Sequence, residues 1–319
     1  MSFNIIETLN FISSSQIKTG EPFKCHCQIK DGFVKSTNGI FTIGSVFPEG
    51  IETNPHTLKL IDALRAVDED FDVESFEDFL KISDKRLTVK VPSIKSSYFP
   101  EIEPNEPKLD IDENFKNALK FISPLSCENS QNASYSSLLI RSGSCCSYSG
   151  TALIEYWHGL HLPELVIPKR AIIEILKCNK EFSKLGFSDD ACTFWFKDGS
   201  YFRTQLFQRN VWPDVDKVLN FNANPIPFDS KSLKIAILKI LPFCEKGSVY
   251  IDSNGVYSDR EDNLKRTSFL YETGISSKFS FNGDVMLKVI NEADSIDFSE
   301  MKIRFFAGDL ARSLIVGIK

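Results

Sequence analysis

At 319 residues, with 42% hydrophobic and 25% charged side chains, the chain has the composition of a globular protein and the length for two or three ordinary domains. Its formal net charge of −6 excludes a protein that coats nucleic acid with its whole surface, because phosphate contact needs a local excess of Lys and Arg, yet it permits a basic stripe on an acidic body. No stretch nears the roughly eighteen uninterrupted apolar residues of a membrane span, and residues 1–7 lack the basic-then-apolar order of a signal peptide, so a cytoplasmic protein is expected.

In chain order, Ile5, Ile6, Leu9 and Ile12 recur at three and four spacing and predict a first amphipathic helix over 5–12. Eight cysteines are too few for a disulfide scaffold and give no CxxC pair, so they read as buried reduced thiols. In Cys25-His26-Cys27, strand alternation would send both thiols to one face and His26 to the other, which argues for a structural role rather than a metal site. A hairpin follows, with glycine turns at Asp31-Gly32 and Asn38-Gly39. A second helix is predicted over 57–64, with Pro55 suited to its first turn. Next comes a strand ending in Ser83-Asp84, a further strand over 87–91, and the extended connector Phe99-Pro100-Glu101-Ile102.

The same order then begins again. Phe115 to Ile122 predicts a helix, and Ser142-Gly143 and Ser149-Gly150 mark a hairpin. Pro168 suits the first turn of a helix reaching Lys177; a strand ends in Ser188-Asp189, another covers 192–196, and Trp212-Pro213-Asp214-Val215 forms the connector. A third passage runs from a helix over 233–241 through the turn at Asn254-Gly255 and a helix over 285–290 to a strand ending in Ser299-Glu300 and another over 302–306. Three repeats result, each with two helix-plus-strands halves, with boundaries near 108 and 222: 1–108, 109–222 and 223–319.

A search for catalytic chemistry finds no phosphate loop, no GxSxG elbow and no HExxH. His158 and His161 lie near Trp157 in what reads as a solvent-facing loop, and Asp189-Asp190 and Asp68-Glu69-Asp70 read as acidic turns. The chain is therefore not expected to be an enzyme, and neither metal nor cofactor is expected.

With two helix-plus-strands motifs per repeat, three repeats and the aromatic-Pro-acid-apolar connector, the chain resembles the sliding DNA clamp family, most closely the three-domain beta clamp of bacterial replicative polymerases. The resemblance covers essentially the whole length. It implies an α+β clamp fold, with sheets outside and helices lining a ring that encircles double-stranded DNA as a polymerase processivity factor. It also implies a head-to-tail homodimer, a DNA polymerase and a clamp loader as partners, and no membrane. On this reading the DNA-facing cations are Lys116, Lys120, Lys169, Arg170, Lys177, Lys180, Lys231 and Lys234, with residues 168–184 carrying a local charge of 5−2=+3. The partner-peptide pocket of the family falls on Tyr148, Gly150, Thr151 and Leu153 and on Leu314, Val316, Gly317 and Ile318, though the loop lacks the family's Asp, His and Arg. The residues leave open one other reading, a structural or interaction protein that reuses the repeat without DNA.

Overall fold

The computed structural model describes residues 5–317 apart from 18–19, 49, 69, 209–211, 220–223, 262–263, 265, 277, 291 and 300. Seven α-helices lie among them: α1 (Ile5–Ser13), α2 (Thr57–Ala66), α3 (Glu113–Ile122), α4 (Lys169–Lys177), α5 (Val215–Leu219), α6 (Ser230–Ile240) and α7 (Gly283–Ile290). Each of the six long ones buries an apolar stripe; α3 buries Phe115, Ala118, Leu119 and Ile122, and α6 buries Leu233, Ala236, Ile237 and Ile240. Asp229 caps α6, its carboxylate accepting the N–H groups of Lys231 and Ser232 at 3.0 and 3.2 Å. The two prolines do not open helices as the sequence suggests. Pro55 forms a β-bridge with Ser93 ahead of the His56 cap, and Pro168 ends a strand opposite Ser137, since its fixed φ suits extended backbone equally well.

The strands come in groups after each long helix. The first repeat holds β1 (Gln28–Lys30), β2 (Phe33–Thr37) and β3 (Phe41–Val46), then β4 (Asp72–Ser75), β5 (Phe79–Ser83) and β6 (Thr88–Pro92). The second holds β7 (Leu109–Asp110), β8 (Ser137–Arg141), β9 (Ser144–Tyr148), β10 (Ala152–Trp157) and β11 (Leu165–Pro168), then β12 (Phe182–Phe187), β13 (Ala191–Phe196) and β14 (Tyr201–Gln205). The third holds β15 (Ile226–Pro227), β16 (Ser248–Asp252), β17 (Gly255–Tyr257), β18 (Ser268–Leu270) and β19 (Phe279–Asn282), then β20 (Ser295–Ser299), β21 (Lys302–Ala307) and β22 (Ala311–Val316).

The opening hairpins of the three repeats share one register. Asp31 and Gly32, with φ of 52° and 70°, make the mirror-image turn that closes Lys30 on Phe33. Two residues back from each turn, Gln28 pairs with Lys35, Leu139 with Cys146 and Tyr250 with Tyr257. The rung between is buried in all three: Ile29 with Val34, Ile140 with Cys145, and Ile251 with Val256. Alternation therefore sends one face of each hairpin into a core and leaves Gln28, Leu139 and Tyr250 on the other.

The chain separates into two compact units, 1–113 with 173–206 and 114–172 with 207–319. The first holds a seven-stranded sheet ordered β1-β2-β3-β14-β13-β12-β7 and a three-stranded sheet β4-β5-β6. The second holds an eight-stranded sheet ordered β11-β8-β9-β10-β22-β21-β20-β15 and a four-stranded sheet β18-β17-β16-β19. The first half of one repeat thus joins the second half of the next, β3 to β14 and β10 to β22, always antiparallel. At the first seam Gly44 faces Tyr201, and a Cβ there would come within 2.3 Å of the ring. At the second, Glu155 pairs with Arg312 across the strands, accepting its Nε at 2.8 Å, and also accepts the Ser144 hydroxyl at 2.7 Å.

One expectation of the repeat changes. Leu80 to Ser83 forms the second strand of its group, whereas Leu185 to Ser188 and Ile296 to Phe298 begin in the first, so that motif does not align across the repeats. The strand missing from the sequence reading of the first repeat is β4, whose residues Asp72, Glu74 and Ser75 are exposed and leave no apolar alternation to read. Residues Glu69 and Glu300 and the boundary near 222 lie outside the described residues.

The second seam yields a stability test. Glu155 is 2% exposed and Arg312 28%, so Arg312→Leu leaves a buried carboxylate uncompensated and lowers unfolding free energy in urea by about 3 kcal/mol. Lys197→Ala, at an ion pair 68% and 71% exposed, leaves the urea midpoint unchanged, because solvent screens that pair.

Candidate functional site

On the outward face of the eight-stranded sheet, the second unit gathers an apolar cluster. Strands β8, β9, β10 and β22 contribute Leu139, Cys146, Leu153 and Leu314, and Val215 and Leu219 of α5 lie on them. Tyr148, Trp212, Val218 and Val316 pack around the edge. Trp212 donates its indole N–H to the Ser137 hydroxyl at 3.0 Å, and its ring lies 6.3 Å from that of Tyr148. Tyr148 donates to the Gly150 carbonyl at 3.1 Å, and the Val316 N–H donates to the Thr151 carbonyl at 2.8 Å, which ties the hairpin loop to the last strand. A cavity of about 370 Å³ adjoins the cluster, and on its rim Arg141 meets Asp216 at 2.7 Å.

Of the expected pocket residues, Tyr148, Leu153, Leu314 and Val316 meet in this cluster, and Gly150 and Thr151 supply carbonyls that hold it together. Gly317 instead donates to the Met301 carbonyl at 2.6 Å, and Ile318 lies outside the described residues. The sequence reading missed Leu139, Trp212, Val215, Val218 and Leu219 as members. Val215, Val218 and Leu219 carry a signal for it, the three and four spacing of a one-sided helix inside what reads as a connector.

The first unit repeats the arrangement. Phe99 is buried, Trp195 donates to the Asn105 carbonyl at 3.0 Å, and Lys35 pairs with Glu103 at 2.7 Å beside a cavity of about 460 Å³. Glu103 stands four residues after Phe99, as Asp216 stands four after Trp212, so both connectors set an acid at the same position against a cation of the sheet.

Charge separates between helices and the rest of the chain. The six helices of eight or more residues carry eleven Lys and Arg against five Asp and Glu, 11−5=+6, which leaves 26−38=−12 elsewhere. Lys120, Arg170, Lys177 and Lys231 are exposed, and Lys116, Lys169 and Lys234 half-buried. Lys169 donates to the Ser126 carbonyl, and burial, with Lys288 nearby, holds its ammonium below the usual lysine pKa. Lys180 does not belong to this set as the sequence suggests, because α4 ends at Lys177; it pairs with Asp198 and sits 4.0 Å over the Phe11 ring. Lys184 lies on β12, near Asp110. Lys59, Arg65, Lys239 and Lys288 share the helical placement and were not singled out by the sequence.

The remaining sequence candidates are packing groups. Cys25 ends a 3-10 turn rather than lying on a strand, so the expected alternation does not arise there. Burial pushes the Cys27 thiol up to about 12 and those of Cys145 and Cys146 well above their ordinary value. His158 is buried rather than solvent-facing, edge-on to Phe115 at 5.1 Å, with Nδ1 accepting the Leu160 N–H at 3.0 Å. Among the described residues, no three His, Cys, Asp or Glu gather to hold a metal, and no helix is long and apolar enough to cross a membrane.

No family model and no curated protein matches the chain. Solved structures do. The DNA polymerase III subunit beta of Pseudomonas aeruginosa aligns with a TM-score of 0.81 at 12% identity, over 99% of this chain and 97% of that one. The Helicobacter pylori beta clamp bound to a DNA ligase peptide aligns with a TM-score of 0.77 at 17% identity, over the same shares. The same clamp in complex with 3,4-difluorobenzamide reaches 0.80 at 16%, again over 99% and 97%. From end to end, the α+β fold of this chain is that of the bacterial beta sliding clamps.

Proposed function

We propose that the chain is a sliding clamp, a non-enzymatic processivity factor of three repeats (1–108, 109–222 and 223–319) that encircles duplex DNA and tethers a DNA polymerase to it. The observation that carries this reading is the charge of +6 on the six long helices of a chain whose total is −6. A clamp stays on DNA by topology and must slide, so it needs diffuse cationic attraction to phosphate and no base-reading contacts. A structural protein that never meets DNA has no reason to gather the cations of its repeated helices on one concave face. The DNA-facing set is then Lys116, Lys120, Lys169, Arg170, Lys177, Lys231 and Lys234, with Lys59, Arg65, Lys239 and Lys288 added; Lys180 contributes less because Asp198 already holds it. The apolar cluster around Leu153 and Leu314 takes extended peptides of the polymerase and of a clamp loader, as the Helicobacter pylori clamp takes a DNA ligase peptide.

The seams support a route to ring closure. β3 meets β14 and β10 meets β22, so the third strand of each first half takes the third strand of a second half. Among the described residues the remaining members of that series, β18 and β6, each lie at the end of a sheet with no further strand beside them. Two copies joined head to tail pair β18 of each with β6 of the other, a heterologous contact that closes after two chains.

Both parts of this reading can be tested. Arg170→Glu, Lys177→Glu and Lys231→Glu together change exposed residues only; retention on circular DNA at 0.15 M salt falls by about tenfold or more, with a shallower salt dependence. Unchanged retention removes the helices from DNA contact. For the ring, Asp84 donates to Leu87 and Ser93 to Asp78, so alternation turns the Lys90 N–H away from β5 towards the open edge. Light scattering on the native protein is expected at twice the 36.1 kDa chain mass, and Lys90→Pro, which deletes that donor, is expected at 36.1 kDa.

A further inference from the structure

The third repeat carries a groove in the same place as the other two, and among the described residues no connector lines it. Its floor is the outward face of the opening hairpin, where Tyr250 and Tyr257 occupy the rung that Gln28 and Lys35 hold in the first repeat and Leu139 and Cys146 in the second. Its volume is about 420 Å³, against about 460 and 370 Å³ for the other two. In those two, the segment that leaves the repeat lays an acid beside a cation of the sheet, Glu103 on Lys35 and Asp216 on Arg141. In the third repeat the described residues lining the groove include Arg260, Arg266 and Lys278 together with the carboxylate of Asp252. That carboxylate is already engaged, accepting the Asn254 N–H at 2.9 Å and the Tyr257 hydroxyl at 3.1 Å. Arg266 is spread over the Tyr257 ring at 3.8 Å, which fixes a planar cation on an aromatic floor.

We infer that this groove is a second protein-docking site, which takes from a partner protein an extended segment of the same chemistry as the chain's own connectors: an aromatic residue followed by alternating acids and apolar residues. The aromatic side chain lies on Tyr250 and Met301, and the carboxylates meet Arg260 and Lys278, both exposed at the groove mouth. The site is separate from the apolar cluster around Leu153, and it stands whether or not the chain encircles DNA. It gives the protein two docking chemistries, an apolar groove with a neutralised rim in the second repeat and a cationic one in the third.

The test uses the full chain and a fluorescein-labelled peptide with the sequence of residues 212–219, whose own copy in the chain is docked on the second repeat. Anisotropy is expected to show saturable binding, weakened about tenfold or more by Arg260→Glu with Lys278→Glu, a loss of the size expected for charge-assisted hydrogen bonds. Replacing both aspartates of the peptide with asparagine is expected to weaken it by a similar factor. Arg260→Gln with Lys278→Gln keeps the comparison available if the double charge reversal disturbs folding. Equal affinity of native and substituted chains, or no saturable binding at millimolar peptide, overturns the inference.

Discussion

A half-sheet that ends in an unpaired strand leaves a row of backbone N–H and C=O groups facing outward, ready to template another strand. This protein meets that constraint by passing the open edge of each first half to the second half of the next repeat, β3 to β14 and β10 to β22. Much else follows from the choice. The compact units cut across the repeats instead of coinciding with them, and the corresponding edges of β18 and β6 have no matching strand among the described residues. The side chains at the seams are fitted to the crossing: a glycine where the Tyr201 ring passes, and a buried Glu155 held by Arg312 and Ser144. A mispaired strand at the second seam would bury that carboxylate without its guanidinium, so the pair penalises the wrong register more than it stabilises the right one.

Because each sheet is continuous across a seam, its outward face offers a floor, and the connectors lie on it. There the aromatic-Pro-acid-apolar stretch does structural work through its tryptophan or phenylalanine and ionic work through Glu103 and Asp216. The opposite faces carry the amphipathic helices, whose outward positions collect the cations. At physiological ionic strength a charge is felt over about 8 Å, so the −12 carried outside the long helices does not cancel the +6 on them for a phosphate close to a helix. An acidic protein can in this way present a basic surface.

The halves of the repeats were legible because their signals are local. Helix spacing placed α1, α2, α3, α4, α6 and α7 to within a few residues, and Asp31-Gly32 announced a hairpin. What was not legible is non-local or lacks a pattern. The pairing of β10 with β22 joins residues more than 150 positions apart, and nothing in either strand names the other. β4 is polar and exposed, so no alternation marks it, and the Ser-acid motif was consequently matched to the wrong strand of the first repeat. Lys180 reads as one more helix cation because a Lys-rich stretch continues past the point where α4 stops. Half of the candidate groove was legible from its loop and last strand. The other half, Trp212 with α5, was hidden in a segment whose prolines and acids suggest a plain connector.

The central claim, that the chain holds DNA by enclosing it, is tested most directly by loading the protein on a nicked circular duplex, removing free protein, and following the bound fraction before and after the circle is cut once with a restriction enzyme. The account predicts slow loss from the intact circle and rapid release after linearisation. Equal retention on circular and linear DNA would contradict it.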